Sequence, residues 1–226
     1  PMKQALCLQH VPFEGPGAFR QALECRHYQV DPLLVPERDL PLTLPDFLLV
    51  MGGPMSVNDP DPWIEKELQF IRHAIEAGIP VLGVCLGSQF MAKALGGQVR
   101  PGPRLEIGPT PVTRAVEEDA DPVFGTFPRE FTVFQWHGEG LTLPPGACVL
   151  AASEFYPVQA FRYGARAYGL LFHVELEVQG VEALCRECTS DVQRAQTTTE
   201  DLLASAETVL PECHRLADRL IAHLAQ

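Results

Sequence analysis

The chain is short of positive charge. It has 17 Lys and Arg against 29 Asp and Glu over 226 residues, a formal net charge of −12. With no basic stripe to neutralise phosphates, a nucleic acid is excluded as the expected partner. Long apolar runs are missing as well. No stretch approaches the ~18 residues of a membrane span, so no membrane partner is expected. The opening PMKQALCLQH carries one lysine and no apolar core, which predicts no signal peptide; Pro1 is set aside from the fold. The seven cysteines are odd in number and irregular in spacing, so they form no disulfide framework and imply a reducing, cytoplasmic compartment. Cys185 and Cys188 make one C-x-x-C, but there is no second pair and no histidine cluster, so no metal site is expected. They read as ordinary helix residues. Neither an internal repeat nor a nucleotide-binding Gly-rich loop is visible, and nothing calls for a cofactor.

What is present fits one domain over residues 1–226, 46% apolar and 20% charged. Ala5 to Gln9 reads as a first strand, followed by the loop HVPFEGPG (10–17) and a helix through AFRQALECRH. FLLVMGG (47–53) is a second buried strand. DPWIEKELQFIRHAIEAG (61–78) is a helix, opened by Asp61 and Pro62 with Glu65 and Glu67 in the first turns, and closed by Gly78. Alternating strands and helices predict an α/β fold, a mostly parallel sheet with helices on both faces. From about residue 98 shorter strands take over: IGPTPVTR, FTVFQWH, CVLAAS, VQAFRYG and RAYGLLFHVE, with RYGARA as a hairpin connection. These predict an antiparallel extension of the same sheet. The region from Val178 to Gln226 is helical, with Thr199 before Glu200 and Asp201 as the expected N-cap of the last helix.

One stretch stands out: IPVLGVCLGSQFMAKALGGQV, residues 79–99. Pro80 to Val84 has the length and β-branching of a buried strand. From Leu86 to Leu95 the apolar residues recur at helical spacing, until Gly96-Gly97 stops them. Cys85 falls on the turn between the two, inside Gly83-Val84-Cys85-Leu86-Gly87, a G-x-C-x-G elbow. Such a turn pushes its central side chain out of the fold, and flanking glycines avoid collision with strand and helix. The helix N-terminus beside the sulfur favours thiolate. The plainer account is a small buried apolar residue.

A thiol nucleophile needs a base, and the base an orienting acid. Of seven histidines, His27, His73, His214 and His223 fall on predicted helices or their ends. Two are followed two residues later by an acid: His137-Gly138-Glu139 and His173-Val174-Glu175. The second ends the apolar strand AYGLLF, on the edge expected to carry the elbow. In extended chain, residues i and i+2 share a face, so Glu175 is suited to orient the His173 ring. His137 enters a Gly-Glu-Gly loop, better suited to lining a site. His173 is the expected base. For a developing oxyanion, the N–H of Leu86 is one donor by elbow geometry, and Gly53 in VMGGPMS is the other candidate. A plain tight turn is the alternative reading of Gly52-Gly53-Pro54.

MGGPMSV, GVCLGSQ and GLLFHVE, in that order and spacing, resemble the class I glutamine amidotransferase domain, especially stand-alone members similar to the glutaminase part of GMP synthase. The resemblance runs from about residue 45 to 176 and more loosely over the remainder. It implies a flavodoxin-like open α/β sheet and a Cys-His-Glu triad falling on Cys85, His173 and Glu175. It also implies oxyanion donors at Gly53 and Leu86, with Gln89 beside the bound glutamine. The family's F-H-P-E is Phe172-His173-Val174-Glu175 here; losing the proline removes rigidity but no catalytic atom.

The implied reaction is attack of Cys85 thiolate on the γ-carbonyl of a glutamine-like amide, giving a γ-glutamyl thioester that water then hydrolyses. Gln89 and groups near residues 135–140, His137 among them, are the expected contacts for the rest of the substrate. No synthetase domain accompanies the triad, which implies either a separate synthetase subunit or a stand-alone hydrolase of γ-glutamyl amides or peptides. The 10–17 loop would shape the mouth of such a site or serve as a plain turn. A non-catalytic binding module on the same fold is the alternative from another class. A hydratase-like or chaperone-like relative with an elbow cysteine is disfavoured by the F-H-x-E strand end.

Overall fold

The computed structural model describes residues 1–226. Nine strands form one sheet: β1 (Lys3–Gln9), β2 (Tyr28–Leu34), β3 (Phe47–Val50), β4 (Val81–Val84), β5 (Val99–Arg114), β6 (Glu130–Leu141), β7 (Cys148–Ala152), β8 (Ala160–Tyr163) and β9 (Ala167–Leu170). Their order is β2-β1-β3-β4-β9-β8-β7-β5-β6. The first five in that order pair in parallel, and β8, β7, β5 and β6 continue the sheet antiparallel. This is the mostly parallel α/β sheet with an antiparallel extension that the strand pattern predicts.

Period-2 alternation sorts the strand residues between two apolar layers. Ala5, Cys7, Phe47 and Leu49 pack with Phe19 and Leu23 of α1 (Ala18–Glu24) and with Leu216 and Leu220 of α6 (Thr199–Leu224). Leu8, Leu48 and Val50 face the other way. They meet Ile64, Leu68 and Ile71 of α2 (Pro62–Glu76) and Phe90 and Met91 of α3 (Leu86–Ala94). Each fully buried Val, Leu, Ile, Phe or Met among them contributes roughly 1.5–3 kcal/mol of transfer free energy. A third apolar cluster joins Phe134 and Trp136 of β6 to α4 (Val178–Glu187), α5 (Thr189–Arg194) and α6.

Local signals account for most element ends. Pro62 occupies the first turn of α2 after Asp61, and Gly78 at φ 76° closes it, with the Gly78 N–H donating to Ile75 O at 3.0 Å. The last helix starts one residue earlier than expected. Thr198, not Thr199, is its N-cap, and its hydroxyl accepts from Asp201 N at 3.1 Å. The helical C-terminal region is divided into three helices, and Cys188, read as an ordinary helix residue, sits at the break between α4 and α5. Tyr28–Leu34 is a strand with no counterpart in the sequence reading. Pro32 interrupts its apolar alternation, which the edge position of β2 tolerates.

The strand-to-helix turn at Cys85 depends on close backbone approach. Cys85 itself has φ 52°, a left-handed conformation that costs a non-glycine residue energy. A Cβ on Gly87 would lie 1.9 Å from Val50 O, so α3 meets β3 there backbone to backbone. Gly87→Ala is therefore expected to destabilise the fold by roughly 1–3 kcal/mol or more through overpacking. Urea midpoints of the two proteins measure this. An unchanged midpoint would mean that the contact relaxes without cost.

Candidate active site

Parallel pairing of β4 with β9 sets the site. Val84 lies opposite Leu170, and Cys85 N–H donates to Leu170 O at 2.8 Å. The chains leaving both strands therefore emerge at the same sheet edge, Cys85 from one and His173 from the other. His173 is pinned again by its own N–H, which donates to Phe134 O of β6 at 2.8 Å. That bridge brings β6 around to the same spot, where the Cys85 thiol donates to Trp136 O at 3.3 Å.

His173 and Glu175 are both buried, with Nδ1 donating to Glu175 Oε1 at 2.6 Å. The other Glu175 oxygen accepts from Val174 N at 3.1 Å, which fixes the carboxylate. His173 Nε2 is left buried without a hydrogen-bond partner. Although burial opposes a charged ring, the Glu175 charge and contact with the Cys85 side chain hold the His173 pKa well above its ordinary value. The proline-free F-H-V-E segment thus keeps the i, i+2 geometry expected of it.

His137 is not on a loop. β6 runs on to Leu141: His137 pairs with Glu106 of β5, the register breaks opposite Gly138, and pairing resumes at Glu139 and Gly140 with Pro101 and Arg100. Both ring nitrogens are engaged, Nε2 with Glu106 at 3.0 Å and Nδ1 with Glu139 O at 3.1 Å. A cavity of about 330 Å³ joins Cys85, Gln89, His137 and Gly53, while Leu86 lies behind its wall. Such a volume suits a small ligand. Gln89 donates to Glu139 O at 3.1 Å, and Leu86 is the first residue of α3, where an N–H has no intrahelical acceptor.

The pattern described as glutamine amidotransferase class-I matches residues 18–184. The chain belongs to that family. It is 34% identical over 195 residues to the glutamine amidotransferase-like protein YfeJ of Salmonella typhimurium, covering 83% of this chain and 82% of that one. It is 40% identical over 135 residues to the glutamine-hydrolysing GMP synthase of Thermomicrobium roseum, a match spanning 58% of this chain but only 24% of that protein. Among solved structures, a glutamine amidotransferase from Thermotoga maritima superposes with a TM-score of 0.90 at 29% identity, covering 100% of this chain and 99% of the other. One from Methylobacillus flagellatus gives 0.89 at 29% identity, over 99% and 94%.

Several groups around this cavity carry no local sequence signal. His10 is buried and stacked on Phe90, with ring centroids 5.3 Å apart. Its Nε2 donates to Glu67 at 2.8 Å and its Nδ1 to Gly52 O at 3.3 Å. Both partners are acceptors, so the ring needs both protons. Burial opposes this, but the Glu67 charge raises the His10 pKa above its ordinary value. Because the peptide is trans, holding Gly52 C=O on His10 turns the Gly53 N–H to the opposite side. The 10–17 loop also packs on the triad segment: Ala18 N–H donates to Glu175 O at 2.8 Å. Gly17, at φ 50°, allows that approach, since a Cβ there would lie 2.0 Å from the same oxygen. Cys188 lines the cavity too, and burial with Asp191 nearby pushes its thiol up to about 11. In sequence, the one available clue was that a Gly/Pro loop carrying His and Glu follows a parallel strand, on the side where such sheets bind ligands.

The His10–Glu67 pair predicts a pH-dependent stability. A histidine whose folded pKa is raised contributes stability that is fully present below its unfolded value, ~6.5, and lost as pH rises through the folded value. Glu67→Ala breaks a fully buried pair and is expected to cost about 3 kcal/mol at pH 6. The deficit should shrink at alkaline pH. Thermal unfolding of both proteins across pH 6–9 checks this, and a deficit independent of pH would count against the pairing.

Proposed function

We propose that this chain hydrolyses the γ-amide of a glutamine-type substrate through a γ-glutamyl thioester on Cys85, with His173 as base and acid and Glu175 as its orienting partner. The observation that carries this reading is the buried, unpartnered Nε2 of His173 beside an elbow cysteine, its other nitrogen locked on Glu175. His173 takes the thiol proton, leaving thiolate and imidazolium. The thiolate attacks the carbonyl carbon of the γ-amide, and negative charge develops on its oxygen. Leu86 N–H and Gly53 N–H are the assigned donors for it, the second aimed by the His10 bond to Gly52 O. The imidazolium then gives its proton to the amide nitrogen, the C–N bond breaks and the amine departs. A water molecule loses a proton to His173 and attacks the thioester, releasing glutamate and regenerating the thiol. Gln89 and His137 are assigned to the glutamyl end, where Gln89, His137 and Glu139 O already form one hydrogen-bonded group.

A separate synthetase subunit is one proposed destination for the ammonia, as the GMP synthase relatives suggest. A stand-alone hydrolase of larger γ-glutamyl amides is the second reading. The cavity supports it by continuing past Cys85 to Leu184, Asp191 and Arg194 on α4 and α5, room that ammonia does not need. The proposed compartment is the cytoplasm; no helix is long and apolar enough to cross a membrane.

A glutamine-derived diazo-ketone is expected to add once, at Cys85. Cys188, held as a thiol, should stay unmodified although it lines the same cavity; peptide mass mapping reads the site. Labelling chiefly at Cys188 would overturn the nucleophile assignment. Glutamate release from glutamine and from bulkier γ-glutamyl amides should be abolished in Cys85→Ala and fall ~10² to 10⁴-fold in His173→Ala. Robust turnover of the bulky amides over glutamine selects the hydrolase reading, weak turnover of glutamine alone the subunit, and no release from any substrate the binding module.

Glu175→Gln should act differently, through pH. Removing the carboxylate withdraws the charge that keeps the His173 proton bound, so the alkaline fall in kcat/KM moves to lower pH. An unmoved alkaline limb would sink the pairing as the cause.

A further inference from the structure

Glu14, in the 10–17 loop, is buried and lines the same cavity as Cys85. No side-chain hydrogen bond in the protein engages its carboxyl. The other carboxylate at that end of the cavity is already spoken for. Asp191 accepts from Trp136 Nε1 at 3.1 Å and pairs with Arg194 at 3.5 Å. Glu14 has no such partner.

Its position relative to the proposed base is defined by Gly52. A Cβ built on Gly52 would lie 2.5 Å from Glu14 Oε1 and 3.3 Å from His173 Cε1, so one small space joins carboxyl and imidazole. The glutamyl end is assigned to Gln89, His137 and Glu139 O, which are hydrogen-bonded to one another and not to Glu14. A carboxyl next to His173 and outside that linked group is in place for the nitrogen that His173 protonates.

We propose that Glu14 receives the departing amine: its carboxyl forms the leaving-group side of the cavity, holds that amine as an ammonium ion, and so determines which nitrogen substituents the site accepts. This rests on the thioester reaction assigned above to Cys85. The proton count closes. His173 gives the amide nitrogen one proton as the C–N bond breaks, so the amine leaves neutral; the Glu14 carboxyl then passes its own proton to it, leaving carboxylate and ammonium. Burial holds the Glu14 carboxyl up at about 7, with His173 and His10 opposing the rise and Glu175 adding to it. An ammonium ion in the cavity supplies the hydrogen-bonded partner that no group of the protein gives this carboxyl.

Microscopic reversibility supplies the test, because an amine attacking the thioester enters through the site from which the amine leaves. With glutamine as donor at neutral pH, the ratio of γ-glutamyl product to glutamate is measured with methylamine, an ammonium ion at that pH, and with uncharged hydroxylamine. Glu14→Gln should cut the methylamine ratio about tenfold or more, the effect of losing a charge-assisted hydrogen bond, and leave the hydroxylamine ratio within about twofold. Being internal ratios, these do not depend on how much active protein folds. If Glu14→Gln does not fold, Glu14→Asp keeps the charge but withdraws it by one methylene, and the same selective fall is expected. Equal falls with both amines would mean that Glu14 only shapes the cavity, which overturns the proposal. Unchanged ratios with a raised KM for glutamine would move Glu14 to the glutamyl end and overturn it as well. Absence of any acyl-enzyme on Cys85 in the unaltered protein would instead overturn the thioester reading, and the role of Glu14 with it.

Discussion

One backbone hydrogen bond, Cys85 N–H to Leu170 O at the end of the β4–β9 pair, fixes the site. It sets two unrelated chain segments in register where both leave the sheet. A slip of one residue would turn His173 or Cys85 to the opposite face, since strand side chains alternate. Everything else at the site refers to that register. The bridge from His173 N to Phe134 O aligns β6, and β6 in turn brings Trp136 O to the sulfur and His137 to Glu106. The strained φ of Cys85 persists because β4, β9 and the backbone contact at Gly87 hold it from several sides.

Electrostatics around that frame divide into pairs and one remainder. His173 with Glu175, His10 with Glu67 and His137 with Glu106 are each a buried histidine on a buried carboxylate. Buried pairs of this kind contribute little net stability against apolar replacements, but removing one partner leaves a charge or dipole uncompensated. Their effect is to fix ring orientation. For His10 this means a fixed Gly52 carbonyl, and for His173 a fixed Nε2 direction. Glu14 is the remainder, a carboxyl in the same region with no histidine of its own and a pKa lifted by burial.

Legibility in the sequence follows how local each cause is. The elbow, the apolar strands and the H-x-E spacing are short-range patterns, and Cys85, His173 and Glu175 could be read from them. β2 was hidden because an edge strand tolerates Pro32, which argues against a strand anywhere else. The Gly138-Glu139-Gly140 segment that His137 enters reads as a loop, yet pairing with β5 resumes at Glu139 past the break at Gly138 and the strand continues to Leu141. Thr198 and Thr199 are equally good caps by composition; only the observed bond to Asp201 separates them. His10, Glu14 and Glu67 lie far from the elbow in sequence, so nothing local links them to it.

That last gap has a structural origin. One part of the cavity wall is built from α3 and β6, whose periodicity announces them, whereas another is built from the 10–17 loop and the α4–α5 break, which have no periodicity. Loops on a rigid sheet can change without disturbing the register beneath them. In this chain the loop is nonetheless anchored, through Ala18 N–H to Glu175 O and the close approach at Gly17. A substitution in the loop is thus felt at Glu175 through its backbone, and Glu14 is carried on a loop anchored beside His173. The side of the site most open to divergence between relatives is in this way tied to the residues least able to move.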